Sequence, residues 1–191
     1  MRTFSLVVLW AGLTVQDTQA RNIPGQDEVA VCVDGSYPFA MLARAEAIAS
    51  SIYQRIGIRL KWFHDSRCPV DGIQVAFNGR QLPSFHPKAL AHAFPFEGRK
   101  IEVFSDRFQT VYEPLRPVLL GLVLAHEIGH MLQGVNHHSE IWVMKALWTG
   151  QDFAAMLTKP LTFTENDVIL IQSGLACRQA HSLSSKVVAR R

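Results

Sequence analysis

The sequence is poor in charged residues and has no strong excess of either sign, which removes one class of partner. Of its 191 residues only 18% are charged, and the formal net charge is +3. Lysine and arginine are spread along the chain, and their main cluster is the terminal KVVARR, residues 186–191. Proteins that bind nucleic acid carry a basic patch or stripe. We therefore expect no nucleic-acid partner, and we predict that residues 181–191 form a disordered basic tail.

Cysteine is also scarce, with three residues at Cys32, Cys68 and Cys177. None of the three lies at zinc-ribbon spacing from another, which excludes a cysteine-based metal centre. In an oxidising compartment they would form one disulfide and leave one thiol. The sequence does not select the pair, and Cys32, inside the apolar run VAVCV, fits a small buried hydrophobic residue equally well.

Long apolar runs are the third feature that the sequence lacks. The first twenty residues combine a positive Arg2, the apolar run FSLVVLWAGL and the small-residue site Thr18-Gln19-Ala20, which is typical of a secretory signal peptide. That run of about a dozen residues is shorter than the roughly 20 that span a bilayer. We find no longer candidate elsewhere. The predicted signal peptide is residues 1–20, and the mature chain would start near Arg21, be secreted or periplasmic, and not insert in a membrane.

The rest of the chain contains alternating segments typical of strands and two apolar helical segments. Predicted strands are 28–33, 58–63, 73–78 and 100–106, with a short edge strand near 89–94. Pro38 opens a helix whose apolar stripe runs from Phe39 to Ile56. There is no internal repeat, so residues 21–180 are expected to form one domain.

A second helix, VLLGLVLAHEIGHMLQ, is apolar nearly all round and is predicted to be buried in the middle of the molecule. It follows Pro117, which suits a first helical turn, and Gly134 is placed to end it. Residues 135–160 show little periodicity. A last helix, capped around Thr164, is predicted to run to about Ala176.

The HEIGH segment within the buried helix has the spacing of a metal site. His126 and His130 are four residues apart, so both imidazoles can reach one ion at about 2.0–2.1 Å. Glu127 can take a proton from water on that ion and pass it to a leaving amine, while the ion activates the water and polarises a carbonyl. Unpaired polar groups in a buried helix cost about 1–3 kcal/mol each. The pattern therefore predicts a zinc hydrolase site.

A catalytic zinc needs a third protein ligand, which the helix itself cannot supply. On a continued helix His137 would lie about 10 Å along the axis from His130. The chain must therefore turn back at Gly134, and His137 and His138 are then both candidates. Glu140 and Glu165 are alternatives for a site with two histidines and one glutamate. Of these Glu165 is better placed, although a helix-capping role suits it more.

The stretch HEIGHMLQG, followed by a histidine and a methionine, resembles the metzincins, zinc endopeptidases with HExxHxxGxxH and a downstream Met-turn. Gln133 stands where that pattern has glycine, and the next histidine comes one or two positions later than in the pattern. The stretch is more closely similar to compact secreted bacterial metzincin-like proteins, which have HExxH, a glycine, His-Ser and a Met-turn. His138-Ser139 and Met144 match that arrangement, and the element order extends the resemblance over most of residues 28–176.

The resemblance implies an α+β, metzincin-like zincin fold. Its mixed, twisted sheet of four to five strands would carry a backing helix and a buried active-site helix, followed by a small irregular C-terminal subdomain with one helix. It also implies a secreted, monomeric zinc endopeptidase acting on peptides or proteins. Zn²⁺ would be held by His126, His130 and His138, with His137 the alternative third ligand.

Two further roles follow from the resemblance. Glu127 would be the general base and later acid, and Met144 the floor of the site. Some metzincins place a transition-state-stabilising tyrosine two residues after this methionine. Ala146 stands there, so that role is unassigned.

Overall fold

The computed structural model describes residues 27–35, 37–64, 67–78, 89–96, 99–159 and 161–188, of which 181–188 are described by backbone alone. The predicted signal peptide, residues 1–20, lies outside the described residues. The strands are β1 (Asp27–Asp34), β2 (Ile58–Phe63), β3 (Ile73–Asn78), β4 (Ala91–Ala93) and β5 (Lys100–Phe104). The helices are α1 (Phe39–Gln54), α2 (Ser105–Phe108), α3 (Arg116–Gln133), α4 (Gly150–Thr158) and α5 (Glu165–Val188), and a 3-10 turn spans Glu113–Leu115.

The five strands form one mixed sheet in the order β2-β1-β3-β5-β4. Neighbours pair in parallel except β4, which runs antiparallel to β5 at one edge of the sheet. The alternating apolar residues that predicted these strands also account for the burial, since Val29, Val31, Ile73, Val75 and Ile101 are all in the core. The sheet confirms the expected number and mixture of strands.

Helices α1 and α3 pack on each other and, with the sheet, enclose the hydrophobic core. On α1 the buried stripe begins at Leu42 and continues through Ala45, Ala49 and Ile52. The prediction that Phe39 belongs to this stripe is wrong, because Phe39 lies in the first turn and is 82% exposed.

The buried character of α3 is confirmed, and every residue from Leu119 to Gln133 is buried. The segment Glu113–Gln133 is nonetheless long and apolar enough to span a membrane by length and composition, which corrects our expectation that no such stretch follows residue 20. In the fold it packs against α1, α5 and β4, so the core of the domain accounts for its apolar surface.

The C-terminal part is more helical than predicted. Residues 135–160 were expected to be irregular, but α4 forms there because Thr149 and Asp152 make a capping box at its start. The single expected helix is also longer: α5 continues past Ala176 to Val188, into the segment predicted to be a disordered tail. The C-terminal subdomain therefore has two helices.

The cysteine pair that the sequence left open is Cys32 with Cys68, and Cys177 is free and exposed on α5. The bridge joins β1 to the loop before β3. Cys32 is also buried, so it is both a disulfide partner and a small buried residue of the kind that its apolar surroundings in the sequence indicate.

Candidate metal centre

Two histidines of the site lie one turn apart on α3, as the four-residue spacing predicts. His126 and His130 are both buried, and their Nε2 atoms are 3.0 Å apart. The hydroxyl of Tyr53 on α1 donates to the carbonyl oxygen of Ala125 at 2.9 Å, immediately before His126. Packing against α1 therefore fixes the backbone from which this imidazole projects.

The chain turns back directly after α3, and this turn brings the third histidine to the other two. Gly134 has φ +67, the left-handed conformation that glycine adopts without a Cβ penalty. Its N–H donates to the carbonyl oxygen of His130 at 3.0 Å, which ends the helix. Nε2 of His138 then lies 3.2 Å from Nε2 of His130.

The structure separates the two neighbouring histidines. One nitrogen from each of His126, His130 and His138 lies within 4.8 Å of the others. His137 instead points toward the start of α5, where its Nε2 is 3.4 Å from Nδ2 of Asn166 and 3.9 Å from Oδ1 of Asp167. Geometry thus groups His138, and not His137, with the helical pair.

Hydrogen bonds at the far side of two rings direct Nε2 into the cluster. Nδ1 of His126 donates to the carbonyl oxygen of Val143 at 2.7 Å, and Nδ1 of His130 has the carbonyl oxygen of Val135 at 3.4 Å. A proton on Nδ1 leaves the lone pair of a neutral imidazole on Nε2. Backbone carbonyls in this position orient metal-binding histidines in many proteins.

The electrostatics of the cluster keep these rings neutral. Burial lowers the pKa of His126 to about 4, although the hydrogen bond to Val143 acts to raise it. Burial, with the neighbouring His126 and His138, lowers the pKa of His130 to about 3, and burial and His137 lower that of His138. Neutral imidazoles are the form that binds metal.

The spacing of the cluster suits a tetrahedral ion. At Zn–N distances of 2.0–2.1 Å, tetrahedral ligands stand about 3.3 Å apart, close to the 3.0 and 3.2 Å between these nitrogens. Three lone pairs facing one another repel unless a cation lies between them. The residues therefore fit a metal ion.

Glu127 is the carboxylate nearest in sequence to this cluster, and it is buried. Burial raises the pKa of Glu127 to about 8. A hydrogen bond from the backbone N–H of Ala93, on the edge strand β4, acts in the opposite direction and lowers it. Glu127 therefore contacts β4, the last strand at one side of the described sheet. At neutral pH the carboxyl group of the metal-free site is therefore mainly protonated, and a cation held by the neighbouring histidines would lower its pKa and favour the carboxylate that can accept a proton.

Met144 packs against α3 at Gly129, between the positions of His126 and His130 in the sequence. It is fully buried, and a Cβ added to Gly129 would come within 2.6 Å of its Sδ. Gly129 precedes His130 on α3, so the thioether packs against the helix where the ligands project. The carbonyl oxygen of Trp142 accepts from Lys145 N–H at 3.3 Å, which closes a turn around the methionine.

The alternative carboxylate ligands are not in the cluster. Glu165 is exposed in the first turn of α5, and Glu140 is exposed in the loop after His138. The capping role expected near Glu165 belongs to Asp167, whose Oδ2 accepts from Thr164 N–H at 2.9 Å. Among the residues that the structure describes, the three histidines are the group placed to share an ion.

Sequence reasoning missed two side chains beside the site. The indole of Trp148 stands edge-on to the His126 ring, 5.8 Å between centroids, and donates to the carbonyl oxygen of Trp142 at 3.2 Å. No sequence pattern indicates that contact. Asp167 is fully buried and accepts from Ser139 Oγ at 2.6 Å. The Thr164-x-x-Asp167 capping pattern could have identified this aspartate, although not its link to Ser139.

The sequence matches no protein-family model, and no curated protein is similar to it. Its fold is similar to solved structures of archaemetzincins. The one from Methanopyrus kandleri has a TM-score of 0.53 and 16% identity, over 82% of this chain and 99% of that chain. The one from Archaeoglobus fulgidus, complexed with malonate, has a TM-score of 0.50 and 17% identity, over 75% of this chain and 99% of that chain. The predicted metzincin-like fold is confirmed.

Proposed function

We propose that this protein is a zinc-dependent endopeptidase. The observation that carries the proposal is that the neutral imidazoles of His126, His130 and His138 bring their Nε2 atoms together. The buried Glu127 follows His126 directly in the sequence. The archaemetzincin-like fold supports the same assignment. His126, His130 and His138 would hold the zinc ion, and Met144 would support the two helical ligands from below.

Glu127 would do the proton transfers. Zinc bound by the three histidines would supply an activated water and polarise the substrate carbonyl. Glu127 would accept the proton released as the C–O bond forms, and donate it to the amide nitrogen as the C–N bond breaks. Its burial excludes bulk water from the carboxyl group, and the Ala93 N–H holds that group toward β4.

The substrate would be an extended peptide lying along β4, the last strand in the order of the described sheet. This strand pairs with β5 on one side, and the hydrogen bonds from Phe94 N–H to Lys100 and from Phe104 N–H to Leu90 face that partner. Extended peptides add to exposed sheet edges through backbone hydrogen bonds. The contact between Ala93 and Glu127 supports this placement, because it brings the strand to the carboxyl group proposed to transfer the proton.

We further propose that the protein acts as an exported monomer. The signal-peptide pattern of residues 1–20 supports export, and so does the disulfide between Cys32 and Cys68, since disulfides persist in oxidising compartments. Fractionation of the producing cells, with mass spectrometry of the mature N-terminus, tests this part. A protein that stays in the reducing cytoplasm with an intact N-terminus would contradict it.

The activity is tested with zinc-loaded protein and a library of quenched fluorescent peptides. We expect cleavage by the wild type, and a loss of about 10²–10⁴-fold in Glu127→Ala, the usual contribution of a general acid–base group. Bound zinc, measured by mass spectrometry, should remain at one per chain in that variant. If wild type and variant bind zinc and are equally inactive, the protein is a non-catalytic zinc-binding protein.

A further inference from the structure

Ser139 joins the third histidine to two other parts of the site. It follows His138 directly, and its N–H donates to the carbonyl oxygen of Met144 at 2.9 Å. Its hydroxyl donates to Oδ1 of Asp167 at 2.6 Å, 28 residues along the chain. The backbone that carries His138 is therefore held on one side by the methionine turn and on the other by α5.

Asp167 uses its two carboxylate oxygens for different purposes. Oδ2 accepts from the N–H of Thr164 at 2.9 Å and from its hydroxyl at 2.7 Å, while Asp167 N–H donates back to that hydroxyl at 3.1 Å. These contacts form the capping box of α5. Oδ1 is not needed for the cap, and it is the atom that reaches Ser139.

The rest of α5 is fixed against the helix that carries the other two ligands. At Gly174 an added Cβ would collide with the carbonyl oxygen of Leu132, so the backbones of α5 and α3 are in direct contact. A path of close contacts thus runs from His138 through Ser139 and Asp167 to α5, and from there to α3. Any movement of the His138 segment relative to His126 and His130 must break this path.

Asp167 is held between the His138 segment and the start of α5. Its side chain is completely buried, where a polar group is costly without hydrogen-bond partners. Those partners are Ser139 on one side and Thr164 on the other, so the carboxylate has a fixed position between the two segments.

We propose that Asp167 is a positioning residue of the metal centre, which fixes the third ligand through the Ser139 hydroxyl. The inference rests on the proposed metal site. It predicts that the hydroxyl of Ser139 and the carboxylate oxygen that accepts from it matter for metal affinity, although neither belongs to the three-histidine group.

Zinc affinity measured by chelator competition tests the proposal directly. We expect Ser139→Ala and Asp167→Asn to weaken zinc binding by about 10-fold or more, as loss of an outer hydrogen-bond partner usually does. Ser139→Thr keeps a hydroxyl and should restore most of the affinity. Because contacting groups couple, the double variant should lose less than the product of the two single losses.

A matched control separates positioning from general loss of a helix cap. Thr149 caps α4 through the same type of box, with Asp152 in the place of Asp167. Thr149→Ala removes a capping hydroxyl with a similar cost in stability, about 1 kcal/mol. It should leave zinc affinity unchanged, because Asp152 keeps its hydrogen bonds to Lys145 and to the backbone N–H of residue 149, so the turn around Met144 stays held.

Two readouts do not depend on activity. The cobalt-substituted protein should change its visible absorption in Ser139→Ala, because one imidazole is less well held, and not in Thr149→Ala. Hydrogen exchange of the metal-free protein should become faster at residues 137–145 in Ser139→Ala. The hydrogen-exchange measurement reports on the order of residues 137–145 even if metal affinity is too low to measure.

The outcomes distinguish the two levels of inference. If the wild type binds no zinc, or if His126→Ala binds it equally well, the proposed function fails. If the wild type binds zinc through the histidines but Ser139→Ala and Asp167→Asn bind it as tightly, only the positioning role fails. Equal losses in Thr149→Ala would also overturn it, because any weakened helix would then have the same effect.

Discussion

The buried Glu127, His126 and His130 make the stability of the metal-free protein depend on pH in a defined way. Glu127 has its pKa raised to about 8 from 4.5, and the two histidines have theirs lowered from 6.5 to about 4 and about 3, all mainly by burial. Between pH 4.5 and 8 the folded state therefore holds one more proton than the unfolded state at Glu127. Below pH 6.5 it holds fewer protons at the histidines.

These shifts act on stability with opposite signs. Each proton that differs between the states changes the free energy of unfolding by about 1.4 kcal/mol per pH unit. Above pH 6.5 the fixed proton on Glu127 makes stability fall as pH rises, by up to about 2 kcal/mol at pH 8. Below pH 6.5 protonation of the two histidines in the unfolded state exceeds the Glu127 effect, and stability falls by up to about 3 kcal/mol at pH 4.5.

Urea unfolding of chelator-treated protein from pH 4.5 to 8.5 measures this profile, and Glu127→Gln isolates the carboxyl group. We expect a maximum near pH 6.5 in the wild type. In the variant the free energy of unfolding should fall less as pH rises above 6.5, because the Glu127 contribution is gone. As pH falls below 6.5 it should decrease more steeply, because only the histidine contribution remains. Parallel profiles above pH 6.5 for wild type and Glu127→Gln would refute the assignment of a raised pKa to this group.

Three other changes test separate parts of the site and fold. Calorimetry should show that His138→Ala abolishes tight zinc binding and that His137→Ala keeps it. The reverse result would make His137 the third ligand and contradict the assignment of His138. Gly129→Ala should cost about 1–3 kcal/mol of unfolding free energy by overpacking against the buried methionine, and an unchanged urea midpoint would contradict that contact. Reducing the Cys32–Cys68 bridge, which closes 36 residues of chain, should cost about 4 kcal/mol, and midpoints that coincide with and without reductant would exclude the bond.

The sequence predicted best those elements whose pattern is local. Strands 58–63 and 73–78 have the predicted bounds, because alternating apolar residues and flanking turns define both their faces and their ends. The left-handed Gly134 was predicted because the position of a third ligand required the chain to turn there. The spacing of His126 and His130 needed nothing beyond the geometry of one helical turn.

The C-terminal region was predicted less well because its signals are weak or depend on distant contacts. The capping pattern of α4, Thr149-x-x-Asp152, is present in the sequence, but the helix is short and has few buried residues, so its periodicity is low. The apolar pattern of α5 ends near Ala176, yet the helix continues, since adding residues to an existing helix is far easier than nucleating one. Hydrophobic periodicity therefore underestimates the length of a helix whose second half is polar.

The choice between His137 and His138 shows what kind of information a motif does not contain. The two residues are adjacent, so no local rule separates them beyond the alternation of an extended segment. The contacts that decide are distant: Ser139 meets Met144 and Asp167, and His137 meets Asn166. The histidine that joins His126 and His130 is thus selected by α5 and the turn around Met144, which form only when the domain folds.

A site assembled in this way couples metal binding to folding. Two ligands could be formed by α3 alone, but the third depends on contacts with α5, so the unfolded chain presents no complete set. An ion that binds only the folded state stabilises it by RT ln(1 + [L]/Kd), which is about 2.7 kcal/mol at a concentration 100 times Kd. Because Asp167 contributes to both the capping of α5 and the placement of His138, loss of its side chain should reduce stability and metal affinity together. Loss of the Ser139 hydroxyl should reduce mainly metal affinity, since the capping box of α5 stays intact.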